Sequence, residues 1–297
     1  MRLILALLLM CSAAIGQQST GMIKGTIIDK ETGEPIPFAN VIIDMENKIG
    51  AVSDMDGRFT IKNLAPGKYD VTFKYIGYET RIYEDVKVEA DRITFLDGDV
   101  TMLEQQIEVL KPVIYMYSNE VINGSISLNT EYDKMFTYPK YDIESGWKFT
   151  VDVNGIKVDG QSYNYLFWEA LTNDYSKVGH AMNEGFCVAG DSAITFLEPM
   201  LDHLGFNQAE KVDFITFWGP QIAKNKWSQV HFKVDEAYDD VMKMDVSPQP
   251  DAMRRVFMTL TPIDKPVELK EQVFTEFERS GFTLLEWGGA VVPQPSN

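Results

Sequence analysis

Cysteine is nearly missing from this chain. Of the two present, Cys11 lies in the N-terminal segment and Cys187 stands alone in the body of the sequence. If the first segment is removed, no intramolecular disulfide can form, and each domain must hold together by its core alone. Histidine is almost as scarce, with His180, His203 and His231 as the full set. Basic residues are outnumbered, 27 against 44 acidic ones, for a formal charge of -17. Such an excess repels phosphate backbones and anionic headgroups, which disfavours nucleic acid and anionic membrane surfaces as partners. No stretch after the first residues reaches the ~20 apolar residues that a membrane helix needs. Hydrophobic residues nevertheless make up 45% of the chain and aromatics 12%, enough for packed cores and too much for a disordered chain.

The first residues read as an export address. Arg2 supplies a positive start, the run from Leu3 to Ala14 is apolar, and Ala14-Ile15-Gly16 offers small residues before a cut at Gln17. The expected signal peptide is 1–16. A lipoprotein reading, with Cys11 as the acceptor, stands second because Met10 precedes that cysteine where a small residue belongs. Export leaves the periplasm, the outer membrane's surroundings and the medium all open as destinations.

Residues 20–106 carry the pattern of a small β domain. Ile23–Ile28, Val41–Asp44, a strand ending at Leu64, and Tyr69–Tyr75 are short apolar runs. They are separated by Asp29–Gly33, Ser53–Phe59 and Pro66-Gly67, which are turn sequences. Turns every 8–12 residues point to an antiparallel β-sandwich. Asp54, Asp56 and Gly57 have a calcium-loop look, but a third oxygen ligand and a later glutamate are missing in register, so the expected role is a tight turn. The segments GTIIDKETGEPIPFANVII and SDMDGRFTIKNLAPGKYDVTFKYIGYE resemble the carboxypeptidase regulatory-like domain, a transthyretin-like sandwich. Copies of that domain also open many TonB-dependent outer-membrane transporters. The resemblance implies an accessory module that folds, spaces or docks and has no catalytic residues of its own.

After a connector at 101–110, residues 110–292 read as an α+β domain: mostly antiparallel sheet with one helical insertion, so the chain as a whole is mainly β. Strands are expected at 113–117, 124–128, 135–138, 147–153, 163–168, 228–234, 255–261 and 282–287. Ser192 opens a helix to Leu204 with Ile194, Leu197, Leu201 and Leu204 on one face, and Gly205 ends it. Asn207 opens a second, with Val212, Ile215 and Phe217 apolar, which Pro220 bends or ends. The segments KPVIYMYS, FTYPKY, YNYLFWEA, GFCVAGDSAITFLEPMLDHLGFN, RVFM and GFTLLEWGG are similar to an uncharacterised bacterial domain that opens with a KPVIYLYP-like segment. Here Ser118 replaces its proline. That resemblance marks a domain and implies no chemistry.

Three chemistries are considered. A zinc peptidase needs His-x-x-Glu and a distant histidine, and none of the three histidines has that spacing; no metal and no cofactor are expected. Cys187 is a nucleophile candidate with His180 as its base, against the alternative that a cysteine between Phe186 and Val188 is a small buried hydrophobe. Glu169 after Trp168 and Glu286 before Trp287 form the carboxylate pair that glycoside hydrolysis would use. Against it, the tryptophans are core and the glutamates point to solvent at alternate strand positions. Tyr138, Tyr141, Trp147, Tyr163, Tyr165, Phe167 and Trp168 lie on neighbouring expected strands. Facing out they make a stacking platform for a glycan or a peptide; facing in they are core. The expected protein is an exported, non-catalytic binding or envelope-associated one with an envelope protein or glycan as partner. The rival is a carboxylate-dependent glycan hydrolase.

Overall fold

The computed structural model describes residues 19–44, 49–75, 77–96, 98–128, 132, 135–179 and 183–293. The chain forms two compact units, divided between Glu104 and Gln105. The expected signal peptide lies outside the described residues.

Among the described residues, the first unit forms eight strands: β1 (Gly21–Asp29), β2 (Asn40–Asp44), β3 (Ile49–Val52), β4 (Arg58–Leu64), β5 (Gly67–Lys74), β6 (Arg81–Val88), β7 (Ile93–Phe95) and β8 (Val100–Met102). One sheet is β4-β1-β7 with β8 also on β1; the other is β3-β2-β5-β6. Ile23, Ile27, Val41, Phe59, Ile61, Val71, Phe73 and Val100 interleave between them as one core. The expected sandwich is present, but it is not wholly antiparallel, because β7 and β8 both run parallel to β1.

Its turns are built by side chains. Asp29 Oδ1 accepts from the N–H of Glu31 and Thr32 and from the Thr32 hydroxyl. Asp54 Oδ1 accepts from the N–H of Asp56 at 3.0 Å and of Arg58 at 2.9 Å. The Asp54 carboxylate is thus spent on backbone, as an Asx turn spends it. Gly57 follows at φ 70°, where a Cβ would fall 2.4 Å from the Ile27 carbonyl, so only glycine closes this turn.

The second unit opens with β9 (Ile107–Tyr117), β10 (Ile122–Leu128), β11 (Met135–Tyr138), β12 (Trp147–Asp152), β13 (Gly155–Val158), β14 (Gln161–Tyr163) and β15 (Leu166–Thr172). It continues with α1 (Tyr175–Val178), β16 (Phe186–Ala189), α2 (Ala193–His203), α3 (Gln208–Ala223), β17 (Trp227–Val234), β18 (Met244–Ser247), β19 (Ala252–Ile263) and β20 (Thr283–Val291). A seven-stranded sheet, β11-β15-β9-β20-β19-β17-β16, lies at the centre. Its pairings are antiparallel except β19 with β20. The five-stranded sheet β14-β13-β12-β10-β18 covers one face, through a core that includes Ile114, Trp147, Phe149, Trp168 and Leu284. Helices α2 and α3 cover the other, through Leu197, Leu201, Phe214, Trp218, Val230, Met258 and Trp287.

Both helices depart from the expected faces. In α2, Leu197, Leu201 and the following Leu204 are fully buried, but Ile194 is exposed and Ala193 takes its place in the core. Ser192 stands at the N-cap without a side-chain cap bond. In α3, Asn207 accepts from the Glu210 N–H while Glu210 accepts from the Asn207 N–H, a reciprocal capping box. The buried stripe is Phe214, Trp218 and Ile222, and Val212 faces solvent. Pro220 neither ends the helix nor stops its last turn, since the Lys224 N–H still bonds the Pro220 carbonyl. The parallel pair β19 and β20 is joined by an extended strap, residues 264–282. Gln272 on this strap accepts from the Phe232 N–H and donates to the Phe232 carbonyl, supplying the hydrogen bonds of a strand neighbour from one side chain.

Candidate functional site

Strand β20 lies in the middle of a sheet covered on both faces, and this decides what Glu286 does. Leu284 and Glu286 point toward the five-stranded sheet, Leu285 and Trp287 toward the helices. Glu286 is therefore fully buried, which corrects the expectation that it faces solvent. Its Oε1 accepts from the Trp168 indole N–H at 2.9 Å and its Oε2 from Arg255 Nε at 2.6 Å. Arg255 is itself buried. It donates further to the Met242 carbonyl and to Asp239, and lies 4.5 Å from the centre of the Tyr238 ring. Burial, and then the Glu286 charge, holds the Tyr238 phenol far above its ordinary value. A carboxylate that is fully buried and has both oxygens engaged by buried donors is a structural anion, out of reach of a substrate.

Glu169 belongs to the opposite face. Trp168 beside it contacts Glu286, so strand alternation sends Glu169 to the helix-bearing side of the sheet. The sheet stands between the two glutamates. The carboxylate whose charge bears on Glu169 is Glu108, at the start of β9, which the sequence reading above does not name. Glu108 pairs across the ladder with Leu171, two residues from Glu169, and alternates with buried Ile107 and Val109, so both acids share a face. They line a cleft of about 520 Å³ together with Leu110, Phe136 and Leu171. Burial first, and then the Glu108 charge, raises the Glu169 carboxyl above its usual value.

The aromatic candidates divide in the same way. Trp147 and Trp168 are core residues. The Trp147 indole donates to the Pro139 carbonyl at 2.9 Å and packs edge-on against Tyr141, which is also buried. Trp287 is buried on the helix side against Phe214. Tyr165 and Phe167 pack partly buried against the helix-side core and Tyr163 against the opposite one. Phe136 and Tyr138 on the edge strand β11 are each 61% exposed. Phe136 meets Phe167 with centroids 6.0 Å apart, Tyr138 meets Tyr163 at 5.6 Å, and half-buried Tyr165 meets Tyr115 at 5.4 Å. Lys111 closes this margin on the helix side, its ammonium 5.2 Å from the Phe217 ring and 5.4 Å from that of Trp287. The edge strand β11 thus presents two exposed rings, Phe136 and Tyr138, and Phe136 shares its cleft with two carboxylates.

Cys187 sits half-buried on the edge strand β16, with the Val267 N–H directed to its sulfur at 3.5 Å. His180, its expected base, lies outside the described residues. His203 bonds the Phe274 carbonyl and His231 bonds Gln272. Among the described residues, no three His, Cys, Asp or Glu side chains converge as a metal-holding group. No helix among them is long and apolar enough to cross a membrane, which says nothing of a β-barrel.

Residues 23–109 match the family model of the CarboxypepD_reg-like domain, and the first unit is a domain of that kind. An uncharacterised protein of Butyrivibrio fibrisolvens is 40% identical over 63 residues, 20% of this chain and 65% of that protein. A TonB-dependent receptor of Formosa agariphila is 36% identical over 92 residues, 31% of this chain and 8% of the receptor. The chain therefore spans about two thirds of the first relative's length and a small part of the second's. Among solved structures, a putative carbohydrate binding protein from Bacteroides uniformis is 14% identical over 52% of this chain and 79% of its own, with a TM-score of 0.23. A cohesin–X-dockerin complex from Acetivibrio cellulolyticus is 29% identical over 28% of this chain and 56% of its own, with a TM-score of 0.24.

Proposed function

We propose that this is an exported, non-catalytic binding protein. Its first unit is an accessory domain, and its second unit presents the aromatic margin of the central sheet to a glycan. The observation that carries this reading is the exposure of Phe136 and Tyr138, side by side on one short edge strand and each backed by a second ring. Large rings left in water at alternate positions of one strand cost hydration free energy, and nothing in the packing of the described residues calls for them there. Rings so presented stack on the apolar faces of sugars. The hydrolase that would pair Glu169 with Glu286 has its two carboxylates on opposite faces of a sheet, and Arg255 engages the second. A screen against envelope and plant glycans, by retardation in affinity gels, tests the reading. Retardation by at least one glycan, lost in the Phe136→Ala/Tyr138→Ala double variant, is expected; retardation that survives both truncations moves the site elsewhere. Export predicts that residues 1–16 are missing from the native protein. A mass that includes Met1, or a lipid on Cys11, contradicts that cleavage.

A further inference from the structure

We propose that the first unit docks another protein along the free edge of β3, as an added apolar strand with basic residues at its flanks. The inference is independent of the glycan face on the second unit. Its starting observation is Phe38, whose φ of 61° lies in the left-handed region and whose ring is 59% exposed. The other non-glycine residues in that region, among the described ones, are Asn63, Asp85, Asp91, Asp159, Asp235 and Lys111. Asparagine and aspartate tolerate it through short polar side chains, whereas a bulky ring is an outlier there. A turn that needed only this backbone would carry glycine or asparagine. A ring that needed only burial would not stand in water. The conformation is nevertheless held firmly. The buried Ser53 hydroxyl accepts from the Ala39 N–H and donates to the Ile36 carbonyl, both at 2.8 Å, and the Phe38 N–H bonds the Ser53 carbonyl. Strain that the surroundings hold in place marks a position kept for what its side chain does.

The ring stands at the end of an open edge. Strand β3 closes one side of the sheet β3-β2-β5-β6, and β6 closes the other. Edges are usually guarded by charge: β6 carries Arg81, Glu84, Asp85 and Lys87, whereas β3 reads Ile-Gly-Ala-Val without one. Ser53 turns its N–H and C=O to residues 39 and 38, so alternation turns those of Val52 and Gly50 away from β2, to the open side. Val52 and Met55 expose apolar side chains beside that of Phe38. A row of backbone donors and acceptors flanked by apolar side chains fits an extended chain with apolar groups at alternate positions. Charge selects its source. The turn that carries Glu31 and Glu34 adjoins the Asp54–Gly57 turn, since a Cβ on Gly57 would lie 3.2 Å from the Pro35 side chain. Both glutamates are exposed, and neither has an ion pair among the described residues, so basic flanks on the incoming strand are favoured. A second copy would bring the same acids and a charge of -17, which disfavours it as the occupant.

The test uses the full chain and a dye-labelled synthetic peptide, Lys-Val-Thr-Val-Thr-Val-Lys, followed by fluorescence anisotropy at low salt. Two control peptides carry methyl groups on alternate backbone nitrogens, or Glu in place of both Lys. Each control is expected to bind at least about tenfold more weakly, and the Lys-over-Glu advantage should shrink as salt is added. Val52→Pro removes an outward N–H and leaves the ladder to β2 intact, so it should weaken binding about tenfold without lowering the calorimetric melt of the first unit. Phe38→Gly relieves the left-handed backbone, so the melt should stay or rise while binding again falls about tenfold. The proposal is overturned if the Lys peptide does not bind at millimolar concentration, or if its binding ignores methylation or both substitutions. A Phe38→Gly variant that melts lower than the parent makes the ring structural and also overturns it. A dimer of the parent chain that Val52→Pro dissolves would make a second copy the occupant and overturn the assignment to another protein.

Discussion

Glu286→Gln removes one negative charge from a place that water does not reach, and its effect follows from what stays behind. Arg255 keeps Asp239, a half-exposed partner, and the Met242 carbonyl, but its Nε–H would face an amide. The carbonyl oxygen of that amide can still accept the Trp168 indole N–H. Removing one partner of a buried ion pair costs about 3–5 kcal/mol, and the surviving contacts of Arg255 set the expectation near the lower end, about 3 kcal/mol. In a unit of this size that is a fall in melting temperature of about 6–12 °C. Tryptophan emission is the assay of choice, because all five tryptophans (147, 168, 218, 227 and 287) belong to the second unit. The first unit is silent in that signal, so the transition reports the sheet that holds Glu286. Trp168→Phe, which removes the indole donor and leaves a cavity in the buried core, should cost at least about 1–3 kcal/mol. Replacing the pair together, by Glu286→Leu with Arg255→Met, should recover much of the loss by removing both charges at once. A Glu286→Gln melt within about 2 °C of the parent, where roughly 6 °C is the least expected, would show that the pair contributes nothing and that the reasoning from burial is wrong.

Gly289→Ala should destabilise the second unit by at least about 1–3 kcal/mol, the range for overpacking, since the new methyl would lie 2.2 Å from the Met258 carbonyl and 2.4 Å from the Trp218 ring; a melt like the parent's refutes the close approach of β19, β20 and α3. His231 is held neutral by burial and then by the Lys233 charge, its pKa lowered from 6.5 to about 4. The unfolded chain therefore takes up a proton that the folded one does not, and stability is lost as pH falls through that window. The His231→Gln variant should show a flatter pH dependence between those limits, measured by denaturant unfolding, and an unchanged slope contradicts the assignment.

How far the sequence alone reveals this molecule depends on whether a feature is local. Turns are local, so Asp29–Gly33 and Asp54–Gly57 are readable, as are the starts of α2 and α3 and the glycine after α2. Strand β11 is bounded by its own alternation and emerges at the expected residues. Strand β6 is an edge strand with charged residues along it, which leaves no apolar alternation to read. Strands β7 and β8 are three residues each and exist because β1 offers them a parallel edge. Pro220 misleads because proline near a helix end need not stop the last turn. The largest error concerns Glu286. An acid flanked by Leu285 and Trp287 reads as the outward position of a half-buried strand, whereas β20 is covered on both faces and the acid's partners lie 31 and 118 residues away. Glu108 is invisible for a related reason: it falls in a polar stretch that reads as connector, and only the pairing of β9 with β15 brings it beside Glu169. Aromatic content is legible from composition; which rings face out depends on β11 taking the edge of the central sheet, a long-range pairing.

The central claim is that exposed rings on β11 exist for binding and contribute little to folding. The measurement that tests it most directly is a paired one on the Phe136→Ala/Tyr138→Ala variant: the affinity for the tightest glycan from the screen, and the melting temperature from tryptophan emission. Rings that are 61% exposed lose little packing when truncated. The account predicts a melting temperature within about 2 °C of the parent's, a shift worth under 1 kcal/mol. It also predicts an affinity reduced at least about tenfold, as for truncation of a binding hot spot. A variant that binds as the parent does, or that loses binding only because it melts, would contradict the claim.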